Sequence, residues 1–337
     1  MRAAVVSEPG RLTFEDLPDP RPTPGEVVVT VAANGLCGTD LHVLDGELTL
    51  ATYPVVPGHE TAGTVEEVGG DVPAALRGRR VAIDPSIWCG DCVQCRVGRR
   101  NLCPRGGGYG ITRDGGCASH IRVHQRNLVF LPESLPFEAA SIAQPLGCAL
   151  HALRRAGVGP GDTVLVVGAG AAGLLLAQAA RARGAAEVAV CEPVPSRRDI
   201  AALLDLDEVG HDAAALADRH PDGFRVVVDA TGHAAVTGAC LDLVGLGGLL
   251  LVFGVAPPHE TVPIAPAALY ERELTVLGTR GMNGDLPAAI ALLASGRVRW
   301  EPLVTARRRL EELPAAMDGL RRGEGVKAMM VGETDGG

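Results

Sequence analysis

The chain has 337 residues, enough for one large or two ordinary domains with sizeable apolar cores. Hydrophobic residues make up 47% and charged residues 21%, as in ordinary globular proteins, but aromatics make up only 3%, so small aliphatic side chains must fill the cores. The formal net charge is -9 and the arginines are scattered in pairs, a pattern that argues against nucleic-acid binding.

The first part of the chain, from Met1 to about Ser141, is typical of an all-β unit. Short β-like runs are divided by clusters of Gly and Pro, which favour long functional loops. The runs lie at 26–33, 63–68, 79–83 and 120–123. An acidic residue occurs within residues 1–8, too early for a signal peptide. No apolar run is long enough to span a membrane. We therefore expect a cytoplasmic protein with reduced thiols and no membrane partner.

From about Gly147 to Arg280 the pattern changes to strand, glycine turn, helix and strand. The predicted strands lie at 163–167, 187–191, 225–229, 249–253 and 274–277, with a helix at 173–183. Strands separated by helical stretches indicate a parallel, doubly wound sheet, so the fold class is α/β. Beyond it we expect helices at 286–295 and 310–321, a strand at 326–331 and disorder in the last few residues.

A glycine turn follows the first strand of this second region. The strand at 163–167 runs straight into Gly168, Gly170 and Gly173 in a G-x-G-x-x-G pattern, and a predicted helix follows. Gly168 permits the tight turn, Gly170 lets the backbone approach the phosphates, and Gly173 lets the helix pack on the strand. This context predicts the pyrophosphate cradle of a dinucleotide site.

An acidic residue lies where the cofactor ribose would be bound. Glu192 follows Gly173 by 19 residues, at the end of the second strand, where a carboxylate accepts both ribose hydroxyls. The alternative is a solvated glutamate at a strand end. Because a carboxylate repels a 2′-phosphate, NAD is favoured over NADP, although Arg197 and Arg198 lie close by and keep NADP open.

Four of the nine cysteines form a cluster with metal-ligand spacing. Cys89, Cys92, Cys95 and Cys103 follow the pattern C-x2-C-x2-C-x7-C. Four thiolates at this spacing close a tetrahedral zinc site with no open position, so we predict a structural zinc. An iron–sulfur loop is the alternative, but the x7 gap and the lack of a following motif argue against it.

Two segments upstream contain the candidate reactive groups. Cys37 and His59 are a soft and a borderline ligand suited to a catalytic zinc, although either alone could be a core residue. The segments C-G-T-D at 37–40 and G-H-E at 58–60, the four-cysteine loop and the glycine turn, in this order, resemble the zinc-dependent medium-chain dehydrogenases/reductases. The resemblance covers nearly the whole chain and is closest to the polyol, sugar and aminocyclitol dehydrogenases.

The resemblance implies a fold of two domains with a cleft between them. A GroES-like β-rich catalytic domain would comprise 1–146 and 281–337, and a Rossmann domain would comprise 147–280. Cys37 and His59 would be zinc ligands, Asp40 would orient His59, and Glu60 would sit behind the metal or ligate it transiently. The implied metal content is two zinc ions per chain, one catalytic and one structural.

One position departs from the family pattern. Where the family supplies a Cys, Glu or Asp as the next zinc ligand, this sequence has Gln144. An amide oxygen is a neutral, weaker ligand than a carboxylate, which makes Glu60 a stronger candidate for direct ligation. Cys148, one helical turn further on, is the competing ligand, although a buried core thiol is favoured there.

The resemblance also implies a proton path and cofactor contacts. Thr39 would bond the substrate hydroxyl and pass its proton through the cofactor ribose to His42. Thr231 would lie beside the adenosine, and Arg280 would bind pyrophosphate or a substrate hydroxyl, with a plain surface arginine as the alternative.

The expected reaction is hydride transfer between NAD(P) and a secondary alcohol of the polyol, sugar, cyclitol or aminocyclitol class, catalysed by a homodimer or homotetramer. One alternative is a reductase of activated double bonds, against which Cys37, His59, Thr39 and His42 argue. Another is a catalytically impaired NAD(P)-binding redox sensor that retains only the structural zinc, which only Gln144 favours.

Overall fold

The structure, a computed structural model, describes residues 1–332, and the chain divides into two units. The first comprises Met1–Gln144, Leu286–Ala294 and Val304–Gly337, and the second comprises Pro145–Asp285 and Ser295–Leu303. The assignment of domains made from the family resemblance stays a prediction. The disorder predicted for the end of the chain concerns residues 333–337, which lie outside the described residues.

The strands are β1 (Arg2–Glu8), β2 (Arg11–Asp16), β3 (Glu26–Gly35), β4 (Glu60–Val68), β5 (Arg80–Ile83), β6 (Ser86–Ile87), β7 (Gly107–Gly108), β8 (His120–His124), β9 (Leu128–Phe130), β10 (Thr163–Val167), β11 (Glu187–Cys191), β12 (Glu208–Gly210), β13 (Phe224–Asp229), β14 (Val244–Val252), β15 (Thr275–Gly278), β16 (Val304–Arg308) and β17 (Lys327–Val331). The helices are α1 (Gly38–Asp45), α2 (Val93–Arg96), α3 (Phe137–Ala156), α4 (Ala171–Ala182), α5 (Pro195–Ala201), α6 (Ala213–Arg219), α7 (Ala234–Cys240), α8 (Pro266–Glu271), α9 (Leu286–Ala294) and α10 (Leu313–Arg321).

The first unit is built on a sheet whose strands lie in the order β16-β17-β3-β4-β5-β9, with β8 also paired to β3. Val27 and Val29 on β3 pack with Val65, Val81 and Ile121 from neighbouring strands. Residues two apart lie on the same face of a strand, so this face of β3 lies in a core, and Val28 between them is buried as well. The strand β3 pairs antiparallel with β4 on one side and with β17 on the other. The predicted β-rich unit is confirmed.

The second unit contains a six-stranded sheet in which every neighbouring pair is parallel, in the order β12-β11-β10-β13-β14-β15. Counted along the chain this is the order 3-2-1-4-5-6 of Rossmann folds, and it reverses between β10 and β13. The central strands are buried along most of their length, as the near-continuous apolar runs predict. The predicted α/β fold class is confirmed.

Two predicted elements differ in extent from the observed ones. The strand expected at 249–253 begins earlier, at Val244, where β13 and β14 pair with a register shift. The helix expected at 310–321 begins with a 3₁₀ turn at Leu310–Glu312, and the α-helix follows with a proline in its first turn. Within the described residues no helix is both long and apolar enough to cross a membrane.

Candidate functional site

A single buried carboxylate joins the two segments that contain Cys37 and His59. Cys37 directly precedes α1, and its backbone N–H donates to Asp40 Oδ2 at 2.9 Å, which caps the start of that helix. The backbone N–H of Gly58 donates to Asp40 Oδ1 at 3.0 Å. Asp40 is fully buried, so both hydrogen bonds are shielded from water. The carboxylate therefore fixes the chain on both sides of the candidate metal site.

The same carboxylate faces the imidazole of His59. Asp40 Oδ1 lies 3.3 Å from His59 Nδ1, and both side chains are buried. Burial alone raises the pKa of Asp40, but His59 and the two backbone donors lower it below its ordinary value. Burial alone lowers the pKa of His59, but Asp40 and Cys37 raise it well above its ordinary value. With Nδ1 turned to Asp40, the other ring nitrogen is left to bind a metal.

Three side chains converge at this point of the first unit. Ligand atoms of Cys37, His59 and Glu60 all lie within 4.8 Å of one another. A thiol, an imidazole and a carboxylate form a donor set that suits zinc, and three protein ligands leave a position open for substrate. Gly58 enables this geometry because its φ is +96° and a Cβ there would lie 2.8 Å from Asn34 Nδ2 and from the Cys117 backbone nitrogen. The donor set therefore fits the predicted catalytic zinc.

Glu60 has a partner that the sequence did not indicate. Both of its carboxylate oxygens accept hydrogen bonds of 2.8 Å from Lys327 Nζ, and neither side chain is exposed beyond 4%. Burial alone lowers the pKa of Lys327, but Glu60 and Cys37 raise it above its ordinary value. The pair spans 267 residues of sequence, and no local motif predicts it.

The next predicted ligand lies in α3. Gln144 is the last residue of the first unit and is followed by Pro145, and Cys148 lies in the second unit. The convergent group of thiol, imidazole and carboxylate donors consists of Cys37, His59 and Glu60. Ligation by Gln144, and the alternative of Cys148, therefore stay predictions.

The two residues of the predicted proton path lie on α1. Thr39 Oγ1 is 3.8 Å from Cys37 Sγ, which brings the hydroxyl beside the candidate metal ligands. His42 follows one turn later and is partly exposed, and its Nδ1 lies 2.7 Å from Glu47 Oε2. Sequence reasoning missed Glu47, although a carboxylate five residues after a histidine was a visible signal. The turn at Gly46, whose φ is 76°, brings it back towards the helix.

The four clustered cysteines are brought together by one loop. Sulfur atoms lie 3.5 Å apart for Cys89 and Cys103, 3.9 Å for Cys89 and Cys95, and 3.9 Å for Cys92 and Cys103. A tetrahedron with zinc–sulfur bonds of about 2.3 Å places its sulfurs about 3.8 Å apart, so these spacings fit a closed zinc site. All nine cysteines of the chain are free thiols.

An arginine accompanies this thiol cluster. Arg105 donates to Cys89 Sγ at 3.3 Å and forms an ion pair with Asp91. Arg105 together with Cys89 lowers the pKa of Asp91 to about 2. A cation at this position offsets the negative charge that four thiolates would carry around zinc. Arg105 is therefore a further residue of the candidate site that the cysteine spacing alone does not reveal.

The glycine turn has the geometry of a phosphate cradle. Gly168 has φ +101°, a conformation that favours glycine, and Gly170 directly precedes the twelve-residue helix α4 with no heavy atom near its Cβ position. A Cβ on Gly173 would lie 1.8 Å from Gly168 O, so only glycine lets α4 pack against the turn. Thr231 lies beside the turn, since a Cβ on Gly168 would be 3.0 Å from its Cγ2.

Glu192 lies just after β11 and reaches the glycine turn. Its Oε2 accepts the backbone N–H of Ala169 at 2.7 Å, its Oε1 accepts that of Val194 at 2.9 Å, and the side chain is buried. Arg198 donates to the backbone carbonyls of Glu192 and Pro193. The carboxylate is thus held at the carboxyl end of the parallel strands, where nucleotides bind in such sheets.

The remaining predicted cofactor residues also follow strands of this sheet. Thr231 comes after β13, where its backbone N–H and its hydroxyl donate to Asp229 Oδ1 at 2.8 and 2.6 Å. Arg280 comes after β15 and is exposed. Arg197 lies in α5, directly after the loop that follows Glu192. Their contacts with a cofactor stay predictions.

Comparison with known protein families matches both parts of the chain. Residues 23–133 match the alcohol dehydrogenase GroES-like domain, and residues 171–295 match the zinc-binding dehydrogenase family. The first match contains Cys37, His59 and the four clustered cysteines, which are the candidate ligands of the two metal centres. The second match begins within the glycine turn.

Individual relatives extend the match to nearly the whole chain. A D-altritol 5-dehydrogenase of Agrobacterium fabrum is 37% identical over 317 residues, covering 93% of this chain and 94% of that protein. A sorbitol dehydrogenase of Gallus gallus is 35% identical over 344 residues, covering 97% and 95%. A zinc-binding dehydrogenase of Sinorhizobium meliloti solved with NADP superposes with a TM-score of 0.93 at 32% identity, covering 98% and 99%. The chain belongs to the zinc-binding, medium-chain alcohol dehydrogenase family, and it is an oxidoreductase.

Proposed function

We propose that the protein interconverts a secondary alcohol of the polyol, sugar or cyclitol class and its ketone, with a nicotinamide dinucleotide as hydride acceptor or donor. The observation that supports this most directly is the convergence of Cys37, His59 and Glu60 within 4.8 Å, next to the hydroxyl of Thr39. The named activities of two relatives, on D-altritol and sorbitol, point to polyhydroxylated substrates.

We further propose two zinc ions per chain. Cys89, Cys92, Cys95 and Cys103 would hold the structural ion, while Cys37 and His59, with Glu60 and Gln144 as oxygen donors, would hold the catalytic one. When bound, the catalytic zinc supplies Lewis acidity to the alcohol oxygen. Asp40, whose Oδ1 lies 3.3 Å from His59 Nδ1, would orient the imidazole for metal binding through its other nitrogen.

The proton of the alcohol requires an acceptor on the protein. Thr39 Oγ1 would accept the hydroxyl proton and give up its own, and His42, one turn later on α1, would be the final acceptor on the protein. Glu47 lies 2.7 Å from Nδ1 of His42, so Nδ1 carries a proton in the neutral ring and Nε2 is the free acceptor. His42 is partly exposed, which lets it exchange the proton with water.

We propose NAD as the preferred cofactor. The carboxylate of Glu192 accepts backbone N–H bonds from Ala169 and Val194 and retains lone pairs for ribose hydroxyls. Arg198 donates to backbone carbonyls, and Arg197, in α5, would be the candidate cation for a 2′-phosphate. We expect a kcat/KM at least about tenfold higher with NAD, and Glu192→Ala should narrow the difference. Equal values for the two cofactors would contradict this assignment.

We propose that the protein is a cytoplasmic homodimer or homotetramer that binds a small molecule and no nucleic acid. The free thiols suit a reducing compartment. Support for self-association comes from β15, which among the described residues is the last strand of its sheet and therefore offers an edge to a second copy. Tyr270, in the preceding helix α8, is 85% exposed, and Val276, within the strand, is 40% exposed. Light scattering after size exclusion tests this, and Val276→Lys should weaken the assembly.

Metal analysis and a substrate screen test the proposal as a whole. We expect two zinc ions per chain in the wild type and one in Cys37→Ser, with activity on members of a polyol, hexose, inositol and aminocyclitol panel. Thr39→Ala and His42→Ala should lower kcat and keep both zinc ions. A single zinc in the wild type, retained in Cys37→Ser, would instead support the redox-sensor alternative.

A further inference from the structure

A histidine and two glutamates lie together where two strands of the parallel sheet begin. Glu187 is the first residue of β11 and Glu208 the first residue of β12, and these strands are parallel neighbours. His220 directly follows α6, the helix that comes between β12 and β13 in the chain. The glycine turn follows the carboxyl end of β10, so this cluster lies at the opposite ends of the strands from the predicted nucleotide site.

The three side chains present their ligand atoms to one another. His220 Nε2 lies 2.8 Å from Glu208 Oε2 and 3.6 Å from Glu187 Oε1. One ligand atom from each of the three residues lies within 4.8 Å of the other two. Metal–ligand bonds of about 2.1 Å place neighbouring ligands about 3.0 Å apart in octahedral and about 3.4 Å apart in tetrahedral coordination. The separations in the cluster are close to these values, so small side-chain shifts would suffice to bind one ion.

The imidazole of His220 is held in place by packing and by the end of α6. Its ring packs against Phe224 with the ring centroids 4.4 Å apart. The backbone N–H of His220 donates to the carbonyls of Leu216 and Ala217 in the last turn of the helix. His220 also lines a cavity of about 580 Å³, together with Thr163 and Phe224. This space would let water molecules complete the coordination of an ion held by the three side chains.

The two carboxylates share few positive partners. The proton on Nε2 of His220 can be donated to only one of them, and Glu208 is the nearer. Glu187 Oε1, at 3.6 Å, is beyond hydrogen-bond distance. Arg219 forms an ion pair with Glu208 through Oε1 and leaves Oε2 facing His220. With a neutral imidazole these four side chains carry one net negative charge, which a divalent ion in place of the Nε2 proton would offset.

We propose that Glu187, Glu208 and His220 form a metal site, separate from both proposed zinc centres, that binds an exchangeable divalent transition-metal ion. Two carboxylates and an imidazole suit ions such as Mn²⁺, Co²⁺ and Zn²⁺, and a set without thiolates holds them less tightly than the cysteine cluster would. The ion would join the starts of β11 and β12 to the end of α6 and so stabilise this part of the second unit. The inference does not depend on the proposed catalytic activity, because all three residues lie in the second unit.

Binding of Mn(II) to the zinc-loaded enzyme provides the test, after desalting has removed exchangeable metal. Mn(II) prefers oxygen and nitrogen donors to thiolates, so we expect it to leave thiolate-bound zinc in place. Free Mn(II) is counted from its electron paramagnetic resonance signal, which broadens when the ion binds. We expect one Mn(II) per chain with a Kd in the micromolar range. Added Mn(II) should also raise the unfolding temperature, since it binds only the folded site.

Three variants make this measurement specific. Glu187→Gln removes an anionic donor whose carboxylate forms no hydrogen bond with the described residues, so the fold should be retained while the Kd rises at least about tenfold. His220→Ala should abolish the saturable binding. Arg219→Gln should instead lower the Kd at least about threefold, because both oxygens of Glu208 would then be free for the ion. Disruption of a merely structural network of ion pairs would not strengthen metal binding.

Glu66→Gln is the matched control. Glu66 Oε2 lies 2.9 Å from His120 Nε2, and both side chains are partly exposed, as in the proposed site. This pair lies in the first unit and belongs to none of the three-ligand groups found among the described residues. Glu66→Gln should therefore bind Mn(II) with the wild-type Kd and show the same rise in unfolding temperature.

Anomalous scattering from crystals of the zinc-loaded enzyme soaked in Mn(II) locates the ion, and we expect a peak between Glu187, Glu208 and His220. A wild type without saturable Mn(II) binding would overturn the inference. Equal Kd values for the wild type and Glu187→Gln would do the same, as would weaker binding in Arg219→Gln or an anomalous peak only at another position. The number of zinc ions bound per chain tests the proposed catalytic centre and does not enter this comparison.

Discussion

Alanine substitutions at two glycines of the turn after β10 should have different effects, one on the stability of the fold and the other on nucleotide binding. A Cβ on Gly173 would lie 1.8 Å from Gly168 O, far inside the 3.0 Å that real Cβ contacts respect, and the obstacle is backbone. A Cβ on Gly170 would meet nothing within 4 Å, and the φ of Gly170, -70°, is ordinary for alanine. Gly173→Ala should therefore destabilise the protein, and Gly170→Ala should not.

The expected magnitudes follow from these distances. Overpacking costs about 1–3 kcal/mol, and an unyielding carbonyl puts Gly173→Ala near the upper end, offset by about 1 kcal/mol because alanine favours a helix. The free energy of unfolding should fall by about 2 kcal/mol. For Gly170→Ala it should change by less than about 0.5 kcal/mol. The added methyl would nevertheless stand where the backbone approaches the pyrophosphate, so the Kd for NADH should rise at least about tenfold.

Urea unfolding followed by circular dichroism measures the first quantity, and NADH fluorescence titration measures the second. Gly170→Ala is the informative variant because its fold should match the wild type. If it binds NADH with the wild-type Kd, the turn is not the pyrophosphate cradle. If Gly170→Ala loses as much stability as Gly173→Ala, the space around Gly170 is not open as the structure describes it.

Three further predictions concern the metal centres and the thiols. Asp40→Asn should lower the zinc affinity of the catalytic centre about 10–100-fold in a chelator competition. Asp84 is also buried and accepts the Ser86 N–H, and Asp84→Asn should leave the zinc affinity unchanged. Equal losses of zinc affinity in the two variants would contradict the role of Asp40. Gln144→Glu should retain that zinc longer against a chelator, and wild-type retention would place Gln144 outside the coordination sphere. Burial raises the pKa of Cys191 to about 11, so about 0.1% of this thiol is thiolate at pH 8. Iodoacetamide should therefore leave Cys191 largely unmodified in the native protein at pH 8. The rate of its alkylation should rise about tenfold per pH unit up to that pKa.

The features predicted correctly from the sequence are those determined by local pattern. The apolar runs at Thr163–Val167 and Glu187–Cys191 give strands with the predicted bounds, because buried parallel strands need continuous apolar residues. The glycine turn could be predicted from the sequence because each of its glycines occupies a position where a side chain would clash or strain the backbone locally. The helix α1 was missed since its eight residues show little amphipathic pattern, and its start depends on the hydrogen bond from Cys37 to Asp40.

Contacts between distant segments explain what the sequence did not reveal. Gly35 and Lys327 belong to strands that meet only in the folded sheet, so neither could be linked to Glu60 by spacing. Arg105 is nearer in sequence, but nothing in a cysteine pattern says which cation will face the sulfurs. Candidate metal ligands could be proposed from the sequence because ligand chemistry restricts the residue types, whereas the groups that contact those residues come from many types and positions.

The charge of Lys327 also bears on the presence of a neutral amide at Gln144. With a thiolate at Cys37 and a carboxylate at Glu60, a divalent metal is formally neutralised, and the ammonium of Lys327 returns one positive charge to the centre. A carboxylate in place of Gln144 would cancel that charge. A neutral amide preserves it. If Gln144 ligates the metal as predicted, we therefore expect the centre to keep net positive charge for an anionic form of the substrate.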